Sequence, residues 1–169
     1  MKVKHNYQFI VTLVVFLVVL TLWGCVQNPI ENSQNDRQLE VAKLGATVMP
    51  FDLDKTTHIF QKTENGGVQK VVSDEPNNAE QIKLIRDHLS LEAERFMKGN
   101  FHDPTMIHGE KMAGLHELVM GAKRIKIQYS ELPDGAQIVY TTDDPTLVRA
   151  IHAWFDAQLT DHGKHAKDH

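Results

Sequence analysis

One pattern occurs twice in this chain and limits its fold more than any other. Two short β-prone runs joined by a turn lead through an acidic residue and a proline into an apolar-periodic helix. In the first copy, residues 58–62 and 68–73 flank Glu64-Asn65-Gly66-Gly67; Asp74-Glu75-Pro76 follows, then a helix over about 79–98. In the second, Ile125, Ile127 and Tyr129 alternate with Lys126 and Gln128, Pro133-Asp134-Gly135 turns, 136–142 returns, and Asp143-Asp144-Pro145 opens a helix over about 146–159. Asn-Gly and Asp-Gly steps favour tight hairpins because their turns need backbone conformations that glycine and asparagine tolerate. Acids and proline suit a helix start, where N–H groups lack partners and the dipole is positive. The copies match further on: His88…Glu92-Ala93 has the spacing of His152…Asp156-Ala157. The expectation is an α+β fold: a duplicated ββα unit forming a four-stranded antiparallel sheet with both helices on one face.

The helices carry apolar stripes three and four residues apart. Ile82, Ile85, Leu89, Ala93 and Phe96 mark the first; Val148, Ile151, Phe155 and Leu159, flanked by Leu147 and Trp154, mark the second. Such stripes are core positions and need no cofactor to explain them. The sheet face away from the helices is left open, which predicts homodimerisation through it.

The amino end has a different character. Lys2 and Lys4 precede an almost purely apolar run, FIVTLVVFLVVLTLW, and Leu22-Trp23-Gly24-Cys25 closes it. Cys25 is the single cysteine of the chain, so it has no internal disulfide partner. A charged start, an apolar middle and a small residue before the cut are the parts of an export signal. These residues resemble a bacterial lipoprotein signal, with Leu22 and Gly24 in the positions of its lipobox and Trp23 departing from it. The resemblance implies cleavage before Cys25, lipidation of Cys25, and a place in the cell envelope, in the periplasm or on the outer membrane. Each buried methylene of an acyl chain contributes about 0.8 kcal/mol, so more than one chain anchors firmly. The simpler alternative is an uncleaved anchor, since residues 9–26 just reach the length of a membrane span.

The domain plan that follows is a signal over 1–24, a flexible polar spacer over 25–50, the duplicated domain over 51–160, and a histidine-rich tail over 161–169. Loss of Lys2 and Lys4 leaves 16 basic residues against 22 acidic ones, a net charge of −6. That excess of acid disfavours a nucleic-acid partner, which calls for a basic face.

Histidine is the unusual component. There are ten, nine of them beyond the leader. His102, His108 and His116 lie with Met106 and Met112 in the stretch FHDPTMIHGEKMAGLHE between the repeats, and His162, His165 and His169 end the chain. Imidazole with carboxylate suits zinc, nickel or copper(II), imidazole with thioether suits copper(I), and either ligand can hold haem iron. On a continuous helix His108, Met112 and His116 would share one face. The candidate ligands are therefore His108, Met112, His116 and His152, with His102, His162 and His165 in reserve. Asp156, Glu92 and His88 are candidates to orient those ligands from behind. The metal expected is copper or zinc, or haem in its place.

Other readings have less to stand on. No G-x-S-x-G, P-loop, H-E-x-x-H or G-x-G-x-x-G occurs, so an enzyme reading rests only on a histidine acid or base such as His108 or His152. A structural or interaction lipoprotein without a cofactor is the main alternative, and acid sensing by the nine histidines a third. The segments FHDPTMIHGEKMAGL and YTTDDPTLVRAIHAWFDAQLTDHGKHA resemble a family of small exported bacterial proteins of uncharacterised activity. Members are sometimes labelled aspartate carbamoyltransferase, but that class needs two α/β domains and a Ser-Thr-Arg-Thr phosphate loop, and this chain has neither.

Overall fold

A computed structural model describes residues 29–168. The leader, Cys25 and His169 lie outside the described residues. Residues 34–168 belong to one compact unit.

Both hairpins form, and their turns are tighter than the glycines suggest. Strand β1 (Thr56–Thr63) pairs antiparallel with β2 (Gly66–Ser73), and Thr63 opposes Gly66, so Glu64-Asn65 alone makes the loop. Strand β3 (Lys126–Leu132) pairs with β4 (Gly135–Thr141), where Leu132 opposes Gly135 and Pro133-Asp134 makes the loop. Gly66 is the first residue of its strand for steric reasons. Its φ is 149°, and a Cβ there would lie 2.0 Å from the Tyr140 carbonyl oxygen.

The two hairpins join through β2 and β4, which pair antiparallel. A fifth strand corrects the expected four-stranded antiparallel sheet. Residues Ala166–Asp168 (β5), from the expected tail, run parallel to β1, and the order is β3-β4-β2-β1-β5. The sheet is mixed because the chain leaves the last helix at the β1 edge travelling in the direction of β1.

Five α-helices occur among the described residues: α1 (Pro29–Val48), α2 (Ala79–Met97), α3 (His102–His108), α4 (Leu115–Gly121) and α5 (Pro145–His162). Helix α2 starts on Asn78, whose side chain accepts from Gln81 N–H; α5 starts on Asp144, which accepts from Thr146 N–H, with Pro145 at its first position. The predicted stripe of α2 is buried throughout, from Ile82 to Phe96. In α5 the core positions are Leu147, Ile151, Trp154 and Phe155, whereas Val148 and Leu159 are half-buried. The helices cross over: α2, which follows the first hairpin, lies chiefly on β3 and β4, and α5, which follows the second, on β1 and β2. They cover the sheet face that presents His58, Phe60, Val71, Ala136, Ile138 and Tyr140, all buried.

Two further expectations change. The stretch 25–50, expected to be a flexible spacer, holds α1, which seats Val41 in the core with 1% of its surface exposed. His108, Met112 and His116 do not share a helix face. Gly109 and Gly114 take positive φ (87° and 77°) and divide the stretch into α3, a turn and α4. In α4 Leu118 points into the core and Val119 is exposed. No helix among the described residues is long and apolar enough to cross a membrane.

Candidate metal centre

The α2–α5 side of the sheet leaves a cavity of about 50 Å³. Its floor is sheet: His58 and Phe60 of β1, Gln69 and Val71 of β2. Helix α2 contributes His88, Leu89, Glu92 and Phe96; α3 contributes Asp103, Pro104, Ile107 and His108; α5 contributes Trp154, Gln158 and His162. Met49 and Phe51, between α1 and β1, complete it. Four imidazoles and two carboxyl groups thus line a space with room for only a few water-sized groups.

Local geometry explains how they get there. In β1 alternate side chains face the helices, and His58 falls between Thr56 and Phe60 on that buried face. In α2, His88 and Glu92 are one turn apart and point together. Asp103 is brought over Glu92 by the short connection between α2 and α3, where Phe96 and Phe101 stack with ring centroids 4.4 Å apart.

The carboxyl groups form the tightest cluster. One ligand atom each from His88, Glu92 and Asp103 lies within 4.8 Å of the other two. Arg95 Nη1 donates to Glu92 Oε1 and to Asp103 Oδ2, 2.9 Å in each case. Burial, with the Asp103 charge beside it, pushes the Glu92 carboxyl up to about 7 despite Arg95. Tyr140 is also raised, by burial and then by Glu92, and its hydroxyl donates to Gln69 Oε1 at 2.8 Å. A second positive charge in this cavity would relieve that crowding.

The imidazoles behind are held neutral. Burial pushes His58 down to about 3, with repulsion from His88 next in weight, and carries His162 well below its usual range. Their rings stack in parallel at 4.8 Å, and His108 meets His162 edge-on at 5.0 Å. His108 is also lowered by burial, against the pull of Asp161, to which its Nδ1 is hydrogen-bonded at 2.7 Å. Burial raises Asp161, but hydrogen bonds from Arg37 and His108 outweigh it and hold the carboxyl below its usual value. Arg37 Nη2 of α1 reaches Asp161 Oδ2 at 2.7 Å and the His108 carbonyl at 2.9 Å.

Partners separate the four rings. His108 is engaged by Asp161 and Gln158, and His162 Nε2 by Gln158 Oε1 at 3.1 Å. His58 Nδ1, by contrast, is buried with no hydrogen-bond partner. The His165 backbone bonds the same ring in the sense that favours a proton on it, which leaves the lone pair on Nδ1. The only other buried side-chain atom without a partner among the described residues is Nε1 of Trp154, a residue that lines the same cavity.

Of the residues singled out from sequence as ligands, His108 and His162 line the cavity. His88 and Glu92, expected behind the ligands, lie at the cavity itself. Met112 is buried in the hydrophobic core, His102 and His116 are exposed, and His165 approaches Asp54 at 3.7 Å. His152 spans the first hairpin, its Nε2 3.0 Å from the Thr63 carbonyl and 2.9 Å from that of Gly66, and Asp156 pairs with Lys62. His58, Asp103, Arg95 and Trp154 were not among those candidates. His58 was signalled by its place beside Phe60 in the alternation of a half-buried strand. No family model, curated protein or solved structure matches the chain.

Proposed function

We propose that this is a lipid-anchored protein of the cell envelope that holds one transition-metal ion in the cavity between its sheet and helices. His88, Glu92 and Asp103 are the ligands, and His58, whose Nδ1 has no partner, lines the same cavity. The observation that carries the reading is the unpaired His58 Nδ1 in a cavity that also receives a converged imidazole and two carboxyl groups. A buried lone pair without a donor is costly, about 1–3 kcal/mol, and a cation removes that cost. Mixed imidazole and carboxylate ligation suits zinc, copper(II) or nickel. Haem is a poorer fit, because pockets for ligands of that size run to about 300–1,000 Å³. His108 and His162, tied up by Asp161 and Gln158, back His58 and keep water from it. Arg95 stands in for part of the ion's charge, so the fold persists without metal. That neutralisation also favours the second reading, a cofactor-free envelope protein.

We read the domain as an internal duplication, supported by the two hairpins, each closed by a two-residue loop with glycine opening the second strand. The envelope location rests on the leader resemblance.

The test is metal content. The full chain, purified in detergent without an affinity tag, is incubated with zinc or copper(II), desalted and analysed for bound metal. One ion per chain, lost in His88→Ala and retained in His116→Ala, is the expected result. Loose binding that survives His88→Ala would leave the cofactor-free reading.

A further inference from the structure

We infer that the ion of this centre keeps one coordination position open for a small anion, which seats against the indole N–H of Trp154. This rests on the metal reading above and adds a ligand class to it. Trp154 Nε1 can only donate a hydrogen bond. The residue is fully buried, lines the cavity and has no acceptor.

The structure accounts for the acceptors that might have served it. Phe96, Phe101, Phe155 and Tyr140 surround the indole with centroids 5.6 to 6.1 Å away. Three of these are hydrocarbon rings, and the Tyr140 hydroxyl is directed to Gln69. Gln158, one turn along α5, gives its oxygen to His162. No protein acceptor bonds the indole N–H, while His58 Nδ1, a lone pair without a donor, belongs to a residue lining the same cavity.

An ion bearing one small anionic ligand answers both needs. The cation, held by His88, Glu92 and Asp103, places positive charge in the cavity that His58 lines, and the anion accepts from the indole N–H. Size agrees: a cavity of about 50 Å³ admits an ion and one ligand of a few atoms, and excludes a peptide, a nucleotide or a sugar. Metal sites that complete their coordination with protein groups are structural, whereas those with an open position act on what enters it. The indole favours an anion over a neutral molecule because an N–H bond to a charged acceptor is the stronger.

The experiment uses the full chain loaded with copper(II) and titrated with azide, read by the charge-transfer absorption that azide gives on copper. A parallel titration of the zinc-loaded chain, labelled with nitrogen-15, follows the indole N–H resonance of Trp154. The inference predicts a saturable band with one azide per ion, and a shift of the Trp154 resonance alone. In Trp154→Phe the ion stays and azide binds at least tenfold more weakly. If that variant fails to fold, the indole shift in the unaltered chain decides. A chain that holds its ion but gives neither band nor shift has a closed site, and the inference fails while the metal reading stands. An azide band with an unmoved Trp154 resonance removes Trp154 from it. A chain that takes up no ion overturns both.

Discussion

His88 with Glu92, and His152 with Asp156, are the same motif on matching helices: an imidazole and a carboxylate one turn apart. Their fates are opposite. Glu92 is covered by the α2–α3 connection, with 6% of its side chain exposed, and meets a second carboxylate and Arg95. Asp156 has 60% of its side chain in solvent and pairs with Lys62. His88 lines the cavity, while His152 reaches across the first hairpin to two carbonyls. Spacing alone therefore does not make a site. What differs is the layer above: residues 101–108 lie over the first pair, and nothing equivalent follows α5, whose chain turns away to form β5.

The largest expected effect separates the two pairs by their ligands. His88→Ala or Glu92→Gln lowers zinc affinity on the order of 100-fold or more, since even residues behind a ligand contribute 10- to 100-fold. His152→Ala and Asp156→Asn leave it within about twofold. Competition against a chromophoric chelator measures this, and equal losses in both pairs would erase the distinction drawn here.

Acid comes next. His58, His88, His108 and His162 all have folded values below the ordinary imidazole range. The unfolded chain takes up protons first, so the stability these rings hold is intact above pH 6.5 and falls away below it. For His58 the loss is about 1.4 kcal/mol per pH unit until about pH 3, or roughly 2 kcal/mol at pH 5. Glu92 works in the other sense. Its carboxyl is raised to about 7, so it favours the folded state below pH 4.5 and gives that up as the pH rises through 7. Urea unfolding of the metal-free chain should show a net fall between pH 7 and 5, because four rings oppose one carboxyl. Glu92→Gln separates the signs: it steepens that fall and raises stability at pH 8 by about 1–2 kcal/mol. A variant no more stable than the parent at pH 8 would mean that Arg95 already neutralises Glu92.

Much of the framework was legible in the sequence. The α2 stripe, both hairpins and the Asp144-Pro145 start of α5 follow from local chemistry, whereas α2 is capped by Asn78 and not by the Asp74-Glu75-Pro76 run before it. The centre was only partly legible. His108 and His162 were found because they stand in histidine-rich stretches, yet both are tied to neighbours. His58 stands alone in a strand, and Asp103 was passed over beside the more conspicuous His102. Their convergence is set by long-range features: α2 and α5 crossing to the opposite hairpins, and Phe101 stacking on Phe96. The α1 helix was missed because its segment is mostly polar, and Val41 and Gly45 are its buried positions. Strand β5 was missed because three residues of Ala-Lys-Asp have no strand preference and pair only because α5 delivers them to the β1 edge.

His152 and Asp156 supply the smaller effects, and they show what the second pair does. His152 is a hairpin clamp: one N–H shared between two carbonyls holds the Glu64-Asn65 loop onto α5. His152→Ala removes a half-buried donor and should cost about 1 kcal/mol, read as a lower urea midpoint with metal affinity unchanged. Asp156→Asn breaks the surface pair with Lys62 and should cost less than about 0.5 kcal/mol, the usual size of an exposed ion pair. If the pair were a working counterpart of His88 and Glu92, the two losses would be coupled in the double variant. Side chains that face different partners predict simple addition instead. His152 bonds only the hairpin carbonyls and Asp156 bonds Lys62, so the double variant should lose the sum of the two single costs, and a coupling above about 0.5 kcal/mol would show that the second pair acts as a unit after all.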